Sequence, residues 1–133
     1  MMSAAGPLTH ADAKALRKAA LAYPDTVEDF PWGERAFKAA GKKVFMFLWE
    51  GDARISLSLK LPFRHEEALT MKGAERTGYG LGRAGWVTFT YAKTAKLPLA
   101  KLSDYLDESW RAAAPRKLSA QFAPPPPKRR KGS

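Results

Sequence analysis

Cysteine is absent from the 133 residues, which excludes a disulfide framework and any thiolate-ligated metal site. Histidine is nearly absent: His10 and His65 are the only two, too few and too far apart for an imidazole metal site or a matched acid–base pair. Acidic side chains are scarce, 13 against 23 Lys and Arg, so no carboxylate cluster for a hard cation is expected. Asp25, Glu28 and Asp29 come closest, and the basic residues around them favour a polar loop. Long apolar runs are also missing. The longest, residues 44–49, is far too short to span a bilayer. The first seven residues carry neither a charged n-region nor an apolar h-region, so no secretory signal is read there and the cytoplasm is the expected compartment.

What is present describes a folded, basic domain. The chain is 45% hydrophobic and 11% aromatic, more than a disordered segment carries. Its formal net charge is +10, of which four charges sit in the run Lys128-Arg129-Arg130-Lys131, so the remainder is basic without that run. Such an excess favours polyanions, with nucleic acid ahead of an anionic membrane surface. No broad apolar face suits bilayer insertion, so no membrane partner is expected.

The hydrophobic pattern sets out helix, antiparallel meander, helix. Thr9 reads as an N-cap with Asp12 as its acidic partner, and an alanine-rich helix follows as far as Tyr23 and Pro24. Residues 25–34 read as a polar turn region. Strands are expected over 35–40, 44–50, 53–61 and 86–92. The third alternates cleanly, with Ile55, Leu57, Leu59 and Leu61 on one face and Arg54, Ser56, Ser58 and Lys60 on the other. The second is apolar on both faces: Val44, Met46 and Leu48 against Phe45, Phe47 and Trp49. Residues 65–72 read as a short helix closed by Gly73, and 99–113 as an amphipathic helix broken by Pro115, with a further turn or two over 116–122. Residues 1–8 are expected to be a disordered N-terminus, 9–122 one domain, and 123–133 a proline-rich basic tail, stiffened by four prolines. The fold class is α+β: a two-layer sandwich whose antiparallel sheet is covered on one face by the N- and C-terminal helices.

No catalytic set assembles from these residues, and a non-enzymatic protein without cofactor or metal is expected. His65-Glu66-Glu67 resembles the start of a zinc-protease helix, but the second histidine is missing because position 69 is leucine. The glycine-rich stretch 78–82 lacks the Lys-Ser/Thr of a phosphate-binding P-loop and precedes a strand rather than a helix. As a loop tip with Arg83 beside it, it suits contact with a phosphate backbone through its amides. The basic residues are more informative. Arg54 and Lys60 flank two serines on one strand face, a mix that contacts phosphate oxygens, and Lys42 and Lys43 lie at a hairpin end.

Phe30-Pro31-Trp32-Gly33-Glu34, followed by Phe37-Lys38 and Lys43-Val44-Phe45, resembles the MmcQ/YjbR family. Ser58-Leu59-Lys60, Gly85-Trp86-Val87 and Leu106-Asp107-Glu108-Ser109-Trp110 agree with that pattern, over about residues 11–118. Trp110 stands where the family often has tyrosine, and the four-proline basic tail is not part of the pattern. The resemblance implies a CyaY-like (frataxin-like) α–β sandwich, proposed to bind DNA through a double-wing arrangement of loops and strands. It brings no catalytic or cofactor residues. The iron-binding alternative of frataxin needs an acidic helix ridge, whereas the first helix here carries Lys14, Arg17 and Lys18 against Asp12 alone. Phe30 and Trp32 are expected to pin their loop to the sheet, with Gly33 supplying a turn.

The expected function is DNA binding of low sequence specificity by a monomer. Phosphates would be met by Lys38, Lys42, Lys43, Arg54, Lys60 and Arg83, with Lys128, Arg129, Arg130 and Lys131 extending the reach. The alternative is a protein-interaction or small-ligand module that uses the aromatic sheet face with Phe45, Phe47 and Trp49 or Trp86.

Overall fold

A computed structural model describes residues 8–30, 34–78 and 81–121. The expected basic tail, nearly all of the expected N-terminal segment, and the residues Pro31, Trp32, Gly33 and Tyr79 lie outside the described residues. Leu8 is described, and it packs against the core.

Helix α1 spans Ala11–Leu21. Its N-cap is His10 rather than Thr9: the ring Nδ1 accepts the Asp12 N–H at 3.0 Å, and Nε2 donates to the Ala95 carbonyl at 2.8 Å. Thr9 is drawn away by Glu50, which accepts both its N–H and its hydroxyl. Ala13, Leu16 and Ala20 form the buried stripe; small residues let the helix sit close to the sheet.

The sheet has six strands, β1 (Thr26–Asp29), β2 (Arg35–Ala39), β3 (Lys43–Glu50), β4 (Arg54–Lys60), β5 (Ala74–Arg76) and β6 (Trp86–Ala92), in the order β1-β2-β3-β4-β6-β5, with every pairing antiparallel. Two of them fall outside the expected strands, β1 within the expected turn region and β5 between the expected short helix and the glycine-rich loop. They are edge strands, and both are short and charged, a composition that discourages further pairing. In β1 the alternation is inverted: Val27 is exposed, while Glu28 points to the helix side, opposite Phe37, and binds two arginines.

The clean alternation of β4 is realised. Ile55, Leu57 and Leu59 are buried at 1% exposure or less beneath the helices. In β3 a bulge resolves the two apolar faces. Phe37 pairs with Met46 and Lys38 with Val44, so Phe45 is the extra residue. Phe45 and Met46 both enter the core, and Phe47 and Trp49 remain on the open face. Helix α2 is shorter than expected, His65–Ala68. A 3₁₀ turn, Leu81–Ala84, leads through Gly85 into β6.

Helix α3, Leu99–Ala113, matches the predicted span and lies over β3 and β4, burying Leu102, Tyr105, Leu106, Ser109, Trp110 and Ala113. Helix α4, Arg116–Gln121, follows Pro115. Trp110 stacks on Tyr23 at 4.8 Å, and Tyr23 meets Phe45 edge-on at 6.2 Å. Burial of each such large apolar side chain stabilises the fold by about 1.5–3 kcal/mol. Both α1 and α3 pack on one sheet face, which gives the expected two-layer α+β arrangement. No described helix is long and apolar enough to cross a membrane.

Candidate functional site

The strand register brings four of the expected basic residues to one end of the sheet. Lys42 and Lys43 follow the β2–β3 turn, in which Lys42 N–H donates to the Ala39 carbonyl at 3.0 Å. Ala40 and Gly41, the two central residues, both have positive φ, the sign pattern of a type I′ hairpin turn. Lys60 ends β4 opposite Trp86, the first residue of β6. Arg83 lies in the 3₁₀ turn just before β6, and that turn is tied to the end of β4 by Leu61 N–H donating to the Gly85 carbonyl at 2.8 Å. Because β3 starts where β4 ends, Lys42, Lys43, Lys60 and Arg83 share this end. None of the four joins an ion pair among the described residues.

The remaining expected residues are placed differently. Arg54 begins β4 and lies at the opposite end, pairing with Ala92. Six residues of strand, roughly 20 Å at 3.3 Å per residue, separate it from Lys60. Lys38 lies on the open sheet face, but its Nζ is 3.0 Å from Asp29 Oδ2. Lys128, Arg129, Arg130 and Lys131 lie outside the described residues.

One further basic residue lies at the Lys60 end. Arg76 closes β5, its partner Val87 being one residue into β6. Arg76 could not be recognised without β5, a strand of three residues with one hydrophobe. Of the nearby carboxylates, Glu108 is committed to Arg64, 2.7 Å from its Nε, and to the N–H of Phe63 at 2.8 Å. Those bonds and a second ion pair with Asp104 hold the Arg64 guanidinium firmly charged despite its burial.

The scaffold beneath this end is rigid. Ser109, fully buried on α3, accepts the Lys60 N–H at 2.8 Å and donates to the Phe45 carbonyl at 2.5 Å, capping the ladder where the bulge disrupts it. On the open face, hydroxyls run across the strands: Ser58 bonds Thr88 at 2.7 Å, and Thr88 bonds Thr77 at 2.8 Å. The aromatic side chains divide. Phe45 is in the core, Trp86 is 8% exposed with its ring 5.6 Å from that of Phe47, and Trp49 is 42% exposed over Gly51.

His10 and His65 both serve the backbone, His65 Nδ1 donating to the Leu61 carbonyl at 3.0 Å. Among the described residues, no group of three or more His, Asp or Glu side chains is arranged to hold a metal ion.

A six-stranded antiparallel sheet, helices on one face and a group of cations at one strand end without ion-pair partners among the described residues define a small α+β domain with a basic surface. The chain belongs to the YjbR family, whose family model matches residues 21–112, well over half of it. Two crystal structures share its fold. One is a Pseudomonas syringae protein solved as a structural-genomics target, 17% identical, with a TM-score of 0.59, covering 75% of this chain and 97% of its own. The other is a Deinococcus radiodurans protein described by its DUF419 domain, 22% identical, with a TM-score of 0.60, covering 78% of this chain and 81% of its own. No curated protein matches the chain.

Proposed function

We propose that this protein is a non-enzymatic, cytoplasmic DNA-binding protein of low sequence specificity, acting as a monomer with a CyaY-like fold, and that its interface is the Lys60 end of the sheet. The observation that carries this reading is the convergence there of Lys42, Lys43, Lys60 and Arg83 from three separate segments, all without ion-pair partners among the described residues. Cations from separate segments, held on a rigid strand end, can meet successive phosphates of a backbone. Arg76 enlarges the patch, and the basic tail supplies electrostatic reach. Sequence specificity is not expected, because the patch offers charge rather than a set of base-reading amides and carboxylates.

The test is a fluorescence-anisotropy titration of labelled duplex DNA with the intact chain and with one ending at Phe122. Salt-sensitive binding that survives truncation supports the folded-domain interface. Binding lost with the tail moves the activity to that arm. Absence of binding to either form favours the second reading, a protein or small-ligand module centred on Trp49, which is supported by that ring's exposure beside Ser56 and Ser58 on an uncovered sheet face.

A further inference from the structure

At the other end of the sheet, on the helix side, α1 and the start of β2 enclose an open cavity of about 390 Å³ whose described walls are Leu8, Lys14, Arg17 and Arg35. Its size falls within the ordinary range for small-molecule sites. Its lining does not: three of the four side chains are cationic.

The three cations are arranged rather than scattered. Lys14 and Arg17 are one turn apart on α1 and so share a face. Glu28, reaching inward from the edge strand, holds Arg17 as a bidentate pair, 2.9 Å to Nε and 2.8 Å to Nη2, and also holds Arg35 Nη1 at 3.0 Å. The Phe30 ring lies over the Arg35 guanidinium, 5.1 Å from its centre. Both oxygens of Glu28 are thereby committed, and the Arg17 hydrogen bonds hold its carboxyl below the usual carboxylate range against the opposing effect of burial. One carboxylate fixes two guanidiniums, and Lys14 brings the cations in the described walls to three. Lys14 Nζ and Arg17 Nη1 make no hydrogen bond or ion pair among the described residues.

We propose that this cavity binds the phosphate group of a small phosphate monoester, with Lys14 Nζ and Arg17 Nη1 as donors and Leu8 as an apolar wall for the carbon body. A doubly charged anion suits this cation-rich wall, and three oxygens on one centre suit two donors that approach from one helix face. The site is separate from the proposed DNA interface, which occupies the opposite strand ends.

The test is a titration of the ¹⁵N-labelled full chain with phenyl phosphate, followed by amide shifts, alongside Lys14→Ala and, as an exposed control elsewhere, Lys72→Ala. Saturable shifts are expected around Lys14, Arg17 and Arg35 and not around Lys43. Affinity should fall about tenfold in Lys14→Ala, the loss of one charge-assisted hydrogen bond, and stay unchanged in Lys72→Ala. Lys14 is exposed, so its replacement leaves the fold intact. Benzoate, with one negative charge, should bind about tenfold more weakly than phenyl phosphate. Non-saturable shifts, equal affinity in Lys14→Ala, equal losses in both variants, or equal binding of benzoate would each overturn the proposal. DNA affinity of Lys14→Ala is a separate readout, so failure here leaves the DNA reading standing.

Discussion

The backbone N–H of Lys60 donates to the Ser109 hydroxyl at 2.8 Å, so helix α3 holds the strand end that carries the basic patch. The same hydroxyl donates to the Phe45 carbonyl beside the β3 bulge, and the residue is fully buried. Ser109→Ala would leave a buried donor and a buried acceptor without partners, and a methyl group cannot replace either bond. A stability loss of about 1–3 kcal/mol is expected by urea unfolding, with the far-UV spectrum retained. A loss below about 0.5 kcal/mol would show that the strand end stands without this clasp.

Glu50 plays the corresponding part at the other end. Its side chain is 3% exposed, and burial alone would raise its pKa. Hydrogen bonds from Thr9 and His10 and the Lys93 ammonium at 3.1 Å outweigh that effect and hold the carboxyl at about 2, against 4.5 for the free side chain. A carboxylate lowered by folding stabilises the fold fully above its unfolded pKa, and the contribution is lost as pH falls through the folded value. Glu50→Gln should therefore be less stable than the parent at pH 7, by on the order of 1–3 kcal/mol, with the gap closing between about pH 4.5 and 2. Glu28 and Glu67 are lowered too, but they titrate in both proteins and cancel. Urea midpoints across that range measure the gap, and a gap independent of pH would contradict the anchoring role.

The β2–β3 turn carries an avoidable strain. Ala40 has φ +55°, a left-handed conformation that costs a β-carbon roughly 1–2 kcal/mol. Ala40→Asn, which makes an Asn-Gly turn, should stabilise the protein by about 0.5–1 kcal/mol without moving Lys42 or Lys43. Gly85→Ala should do the reverse. Its φ is +93°, and an added Cβ would meet the Leu61 carbonyl oxygen at 2.9 Å, so a loss of about 1–3 kcal/mol is expected. Gly78→Ala, where a Cβ meets nothing within 4 Å, should change stability by less than about 0.5 kcal/mol. Thermal midpoints of the three variants check the ranking.

The parts of the fold legible in the sequence are those where one face alone meets the core. Ile55, Leu57 and Leu59 alternate with polar residues because helices cover only one side of β4, and α3 shows its stripe for the same reason. Strand β1 was hidden because its inward residue is Glu28, buried by virtue of Arg17 and Arg35, which are distant in sequence. Phe45 lies on the face opposite to the one its alternation predicts, because a bulge changes parity within the strand and nothing local in residues 43–47 announces it. His10 displaced Thr9 as N-cap because Glu50, forty residues on, competes for the threonine. At the candidate site, the residue types were readable but their grouping was not. Only the β4–β6 pairing brings Arg83 beside Lys60, and the same register carries Arg54 away.

Arg54 therefore supplies the contrast that tests the central claim. The most direct measurement is the salt dependence of duplex-DNA affinity for the parent, the double variant Lys42→Ala/Lys43→Ala, and Arg54→Ala, all in the chain ending at Phe122. If Lys42, Lys43, Lys60 and Arg83 each neutralise a phosphate, the parent should show a log–log slope of about −4, and the double variant about −2, while Arg54→Ala keeps the parent slope. A slope near zero in the parent, or equal slopes in the parent and the double variant, would contradict an interface at this end of the sheet.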